Sequence, residues 1–134
     1  MQQPPTAAEL LAIVGEVLAD EVVPVLTGPV QHHARVAANL VAIVERELRL
    51  GGDAARRERV AIAALLGVDV GVDVGVDDDR AGDLAALRGR LAAELRRGMA
   101  DDDTSNERVW HMLMAVARDD LAIAKPGHDA WDGD

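Results

Sequence analysis

From Val30 to Leu50 the chain reads VQHHARVAANLVAIVERELRL, and the spacing of its apolar residues restricts the fold more than any other stretch. Val36, Leu40, Ile43, Val44 and Leu48 recur at the i, i+3, i+4, i+7 interval of one helix face. Over about six turns, such a stripe has to be laid against another surface. The polar residues form a second stripe: His32, Arg35, Asn39 and Arg46 lie three, four and seven positions apart. Asn39 sits among Ala and Val, where a helix has no local use for it.

The rest of the chain follows the same period. Thr6-x-x-Glu9 is a capping box that opens helix 1, whose stripe is Leu10, Leu11, Val14, Val17 and Leu18. Pro24 ends that helix near Glu21 or Val22, and Pro29 suits the first turn of helix 2. Gly51-Gly52 is read as the end of helix 2, and Asp53 as the cap of helix 3, which stops at Gly67. VDVGVDVGVDDD repeats Val-Asp-Val-Gly in tandem, and its Asp and Gly are poor in strands, so 68–80 is expected to be an acidic loop. Asp83 is the expected cap of helix 4, with a leucine stripe at 84, 87, 91 and 95 and a Gly89 interruption. Thr104-x-x-Glu107 is a second capping box; helix 5 follows to Ala124 and buries Val109, Met112, Leu113, Val116 and Leu121. Trp110 is expected to fill the core, and 126–134 to be a polar tail carrying Trp131. The fold class expected is all-α, one domain over 1–134 built as a bundle of about five helices.

Composition narrows the function. There is no Phe or Tyr and there are two Trp, so Leu, Val, Ile and Ala must do the packing. Zero Cys removes thiolate and disulfide chemistry. A net charge of −10 argues against a sequence-independent grip on nucleic acid and against anionic membranes. No apolar run reaches the roughly 18 residues of a membrane span, and MQQPPTAAEL lacks the basic start of a signal peptide, so a cytoplasmic location is expected.

Catalytic signatures are missing from the sequence. One Ser and three Thr are the hydroxyl inventory, and none lies in a nucleophile elbow. His32 and His33 point about 100° apart on a helix, and no His-Glu-x-x-His pattern accompanies them. The aspartates between 69 and 79 lack the ligand order of a calcium loop, and no phosphate-binding loop is present. Neither a metal nor another cofactor is therefore expected, and no catalytic residue is assigned. What is left is the stripe His32, Arg35, Asn39 and Arg46, with Arg118 near the end of helix 5 as an added member. It reads either as a surface that binds a partner or ligand, with Arg35 as a bidentate fork, or as a tie between helices in which Arg35 or Arg118 pairs with Asp20, Glu16 or Asp119.

Three runs carry a resemblance: Pro5-Thr6-Ala-x-Glu9-Leu10-Leu11; His33-Ala34-Arg35-Val36-Ala37-Ala38-Asn39 followed by Ile43-Val44-Glu45-Arg46-Glu47; and Val116-x-Arg118-Asp119-x-Leu121-x-Ile123-Ala124-x-Pro126. Together they resemble a family of small bacterial helical proteins known as a domain of unknown function. The resemblance implies a gene context of aminoglycoside-phosphotransferase-like kinases and acyl-CoA dehydrogenases. It also implies a role as a non-catalytic accessory subunit of such a kinase in levulinate-type hydroxyacyl-CoA breakdown. Two alternatives stay open: a small-molecule binder using the His32/Arg35/Asn39 surface, and a homo-oligomeric structural module such as a homodimer.

Overall fold

Four α-helices carry the chain, in the order α1 (Ala7–Glu16), α2 (Gly28–Leu66), α3 (Asp79–Arg96) and α4 (Asp103–Ala124). The computed structural model describes residues 4–69 and 79–128, with the backbone alone for 79–82. Among the described residues there is no strand, and the all-α expectation holds. Positions 70–78 of the acidic repeat, and Trp131 with the rest of 129–134, lie outside them; Asp79 and Arg80, expected in the loop, open α3.

The count of five is corrected to four because the expected helices 2 and 3 are one helix. A glycine ends a helix by adopting the left-handed conformation, and neither Gly51 nor Gly52 does so; among the described residues the glycines with positive φ are Gly28, Gly67, Gly98 and Gly127. Local ion pairs span this part of α2. Arg49 reaches Glu45 at 3.0 Å, and Arg56 pairs with Asp53, which is a helix-interior residue and not a cap. The stop comes at Gly67 (φ 64°), where the Val68 amide donates to the Ala63 carbonyl and the Gly67 amide to that of Ala64. That pair of bonds is a Schellman motif, and Gly98 (φ 94°) closes α3 in the same way through Met99 to Glu94 and Gly98 to Leu95.

Helix starts are partly as expected. Thr6 caps α1 in a full capping box: its hydroxyl accepts from the Glu9 amide, and the Glu9 carboxylate accepts from the Thr6 amide at 2.7 Å. For α4 the cap is Asp102, whose carboxylate accepts from the Ser105 amide at 2.9 Å. Thr104 is already inside the helix, as Asp83 is inside α3. A carboxylate outcompetes a hydroxyl for an orphan amide at a helix start because charge assists the bond.

The helical coil runs beyond the expected end of helix 1. After Glu16 it continues as π-helical turns over Val17–Val22 and a 3-10 turn over Val23–Val25. Pro24 explains the change. It has no amide to donate, and its ring collides with the carbonyl four residues back. Widening the preceding turns, with the Val23 amide reaching Leu18, relieves that collision.

Two compact units follow one another, residues 1–52 and 53–134. The second has the buried core. Leu84, Leu87 and Leu91 of α3 cluster with Ile62 of α2 and Met112 of α4, and Leu95 and Val116 pack against them half-buried. Two bidentate ion pairs flank this core: Arg88 with Glu58 at 2.6 Å on both arms, and Arg57 with Asp119 at 2.8 and 3.0 Å. Trp110 is corrected from core filler to an exposed residue, and Leu113 is exposed too.

The first unit has no buried residue among those described. The stripes expected to be its core are corrected: Leu10, Val14 and Val17 of the first helical segment, and Val36, Leu40, Val44 and Leu48 of α2, are exposed. What the unit half-buries instead includes Leu11, Gly15 and Leu18 ahead of α2 and Ala34, Ala38, Val41, Ala42 and Ile43 on it.

Gly52 and Gly89 sit in open helical positions, with nothing within 4 Å of the place a Cβ would take. Gly52→Ala and Gly89→Ala are each expected to raise the unfolding free energy by about 1 kcal/mol, read from urea titrations. Hydrogen bonds from Ser105 hold the Asp102 carboxyl below its ordinary value. Its stabilisation is therefore present above the unfolded-state value and lost as pH falls through the folded one. Asp102→Asn should keep an accepting cap while reducing the drop in urea midpoint between neutral and acid pH.

Candidate functional site

In the first unit, α1 and the turns after it lie against α2 through Ala and Gly. Ala34, Ala38 and Ala42 recur every four residues on α2, a row of small side chains that allows close approach. Opposite them, a Cβ on Gly15 would stand 3.6 Å from the Val41 side chain. The Gln31 amide group donates to the Val23 carbonyl at 3.1 Å and ties the start of α2 to the end of the 3-10 turn.

Because the packed side chains are small, the seam leaves a groove of about 450 Å³. Leu11, Ala12, Gly15 and Ala19 line one wall; Ala38 and Ala42 line the other. Glu16 and Asp20 on one side, and Asn39 and Glu45 on the other, supply the polar atoms. Ala19 and Asp20 belong to the π-helical turns, so the Pro24-driven widening shapes this wall.

The residues singled out in the sequence fall as follows. His32 and His33 are both exposed, with ring centroids 6.2 Å apart and planes tilted by 57°. Arg35 is exposed, Asn39 is exposed at the groove, and Arg46 is half-buried and interacts with its surroundings. These four share the first unit. Arg118 is an exposed residue of the second unit. Of the pairings considered for the inter-helix tie, the one to Asp119 is corrected: that carboxylate is held by Arg57, whose guanidinium is pushed up by the same hydrogen bonds. The Arg88 guanidinium is likewise raised by its hydrogen bonds to Glu58. Among the described residues no three His, Cys, Asp or Glu side chains are grouped closely enough to hold a metal ion.

The groove was missed in the sequence, although Ala34-x-x-x-Ala38-x-x-x-Ala42 signals it. A row of small residues at four-residue spacing marks the packed face of α2. The larger aliphatic side chains one helix face away, Val36, Leu40, Val44 and Leu48, are exposed.

A family model matches residues 24–128, and its description is a domain of unknown function, DUF6285. The chain belongs to that family. The matched segment takes in the whole of α2, α3 and α4, and with them His32, Arg35, Asn39, Arg46 and Arg118. No curated protein and no solved structure matches the chain. Among the described residues no helix is long and apolar enough to cross a membrane.

Filling the seam tests the packing that forms the groove. Gly15→Leu forces a branched side chain onto Val41 and is expected to lower stability by about 1–3 kcal/mol. Gly15→Ala, which makes an ordinary contact, should leave stability equal or higher. Urea unfolding of both variants checks the contrast.

Proposed function

We propose that this chain is a non-catalytic accessory subunit that binds and supports an aminoglycoside-phosphotransferase-like kinase in hydroxyacyl-CoA or acyl-CoA catabolism. The observation that carries the docking part is the exposure of large apolar residues in a unit with no buried side chain among its described residues. Leu10, Ile13, Val14 and Val17 are all exposed on the first helical segment. A monomeric surface seldom keeps such a contiguous apolar patch unless something covers it. The partner's class comes from the resemblance of the HARVAAN and VERE runs. The contact we assign takes in this apolar face and the polar residues His32, Arg35, Asn39 and Arg46 of α2, where Arg35 offers a fork for a carboxylate. The absence of a nucleophile motif in the sequence fits a supporting role.

A second reading has its own observation, the groove of about 450 Å³ beside Asn39, which lies within the size range of small-molecule sites. A rise in melting temperature with a hydroxyacyl-CoA ester, lost in Gly15→Leu, would favour it over docking.

Co-expression with such a kinase from the same genome tests the first reading. Co-elution, with phosphorylation of hydroxyacyl-CoA substrates that requires this chain, is the expected result. Val14→Glu and Arg35→Ala should each weaken co-elution by about tenfold or more, roughly 1.4 kcal/mol, with helicity by circular dichroism unchanged. A fully active kinase that does not bind the chain would overturn the reading.

A further inference from the structure

We propose that α2 is a switch helix, exchanging between the continuous form of the structure and a broken form in which Gly51-Gly52 turns and Asp53 caps a separate second helix. The inference stands without the kinase assignment and without the groove. Position is the first argument for it. The boundary between the two compact units falls between Gly52 and Asp53, inside a helix of 39 residues. A mean helix has about 11–12 residues, and both halves, Gly28 to Leu50 and Asp53 to Leu66, exceed that length. Each could persist as a helix of its own.

Packing gives no reason for glycine at these two places. Gly15 shows what such a reason looks like, because a Cβ there would meet the Val41 side chain at 3.6 Å. At Gly52 nothing stands within 4 Å of the Cβ place, and at Gly51 the nearest atoms belong to the Glu47 carboxylate, the flexible end of a side chain of the same helix. Two adjacent residues thus weaken the helix without gaining a close contact in exchange. What both supply is free access to the left-handed conformation that ends helices, the one Gly67 and Gly98 already adopt.

The flanking residues carry the matching stop and start. Arg49 stands in the turn ahead of the pair, where a cation favours a helix C-terminus. Asp53 is of the residue type preferred as an N-cap. In the continuous helix it is an interior residue whose carboxylate is engaged by Arg56; in the broken form the same carboxylate accepts from the amides of Ala55 or Arg56, which have lost their carbonyls. The side-chain ties fall to one side or the other. Arg49 reaches back to Glu45, while Arg57–Asp119 and Arg88–Glu58 lie wholly beyond the pair. The leucine core around Ile62 and the Ala-lined groove are likewise each confined to one side. A break therefore costs the backbone hydrogen bonds that straddle the glycines and spares these contacts.

The test measures distance along α2 in the full chain. Because the chain has no Cys, spin labels go on Ala37→Cys and Ala64→Cys, both exposed positions, for pulsed electron paramagnetic resonance. An unbroken helix sets these Cα atoms about 40 Å apart, and a bend of about 60° or more brings them to about 35 Å or less. The wild type is expected to show both populations. Gly51→Ala with Gly52→Ala should cut the shorter one at least about tenfold, and Asp53→Ala about fivefold. Asp53→Asn keeps an accepting cap while losing the ion pair with Arg56, and should leave it within about twofold. A single distance near that of the unbroken helix in the wild type would overturn the proposal. So would a shorter population indifferent to the paired alanines, or one that Asp53→Asn removes as fully as Asp53→Ala.

Discussion

The contact between the leucine ridge of α3 and Ile62 is the constraint on which the rest of the helical framework depends. Leu84, Leu87 and Leu91 are buried with Ile62 and Met112, and among the described residues no aromatic ring takes part. Fixing the C-terminal turns of α2 there supplies the nucleus that an isolated helix lacks, after which each further turn is added at little cost. The bidentate pairs Arg88–Glu58 and Arg57–Asp119 attach α3 and α4 to that same stretch of α2. They are surface pairs, individually weak, and their geometry serves to orient helices already held by burial.

Burial is shared unequally along the chain. The second unit uses long aliphatic side chains at its contacts, while the first sets Ala and Gly beside half-buried Leu11 and Val41 and leaves Leu10, Val14, Val36, Leu40, Val44 and Leu48 exposed. A helix with two apolar faces can satisfy one against its neighbour in the hairpin; the other is left for a different surface. The same residue types thus do different jobs in the two units, and which job is decided by the size of the residues on the adjoining face.

Helical content, the Thr6 capping box, the Gly67 stop and the leucine core of α3 were legible from period and capping chemistry alone. The break at Gly51-Gly52 was misread because the signal for a C-terminal glycine is its positive φ, which composition does not carry. Asp102 displaced Thr104 as a cap for a reason that a motif search overlooks, namely that three consecutive aspartates stand ahead of the hydroxyl. The stripes at Val36–Leu48 and Leu10–Val17 were correctly seen as apolar faces, but periodicity cannot say which of two apolar faces a helix turns inward. The alanines at 34, 38 and 42 held that information. His32, Arg35, Asn39 and Arg46 all lie on α2, whereas Arg118 lies in the other unit and its neighbour Asp119 is engaged by Arg57.

Two adjacent glycines inside a continuous helix have a thermodynamic meaning beyond geometry. Each raises the local cost of keeping α2 helical, and neither adds a packed side chain. The ladder of amide hydrogen bonds is therefore weakest around Gly51 and Gly52, where opening on one side need not carry the other with it. Amide protons near Ile62 exchange only when the core of the second unit opens. Those between Val36 and Leu48 report on opening of the first unit, so a single helix records two separate equilibria.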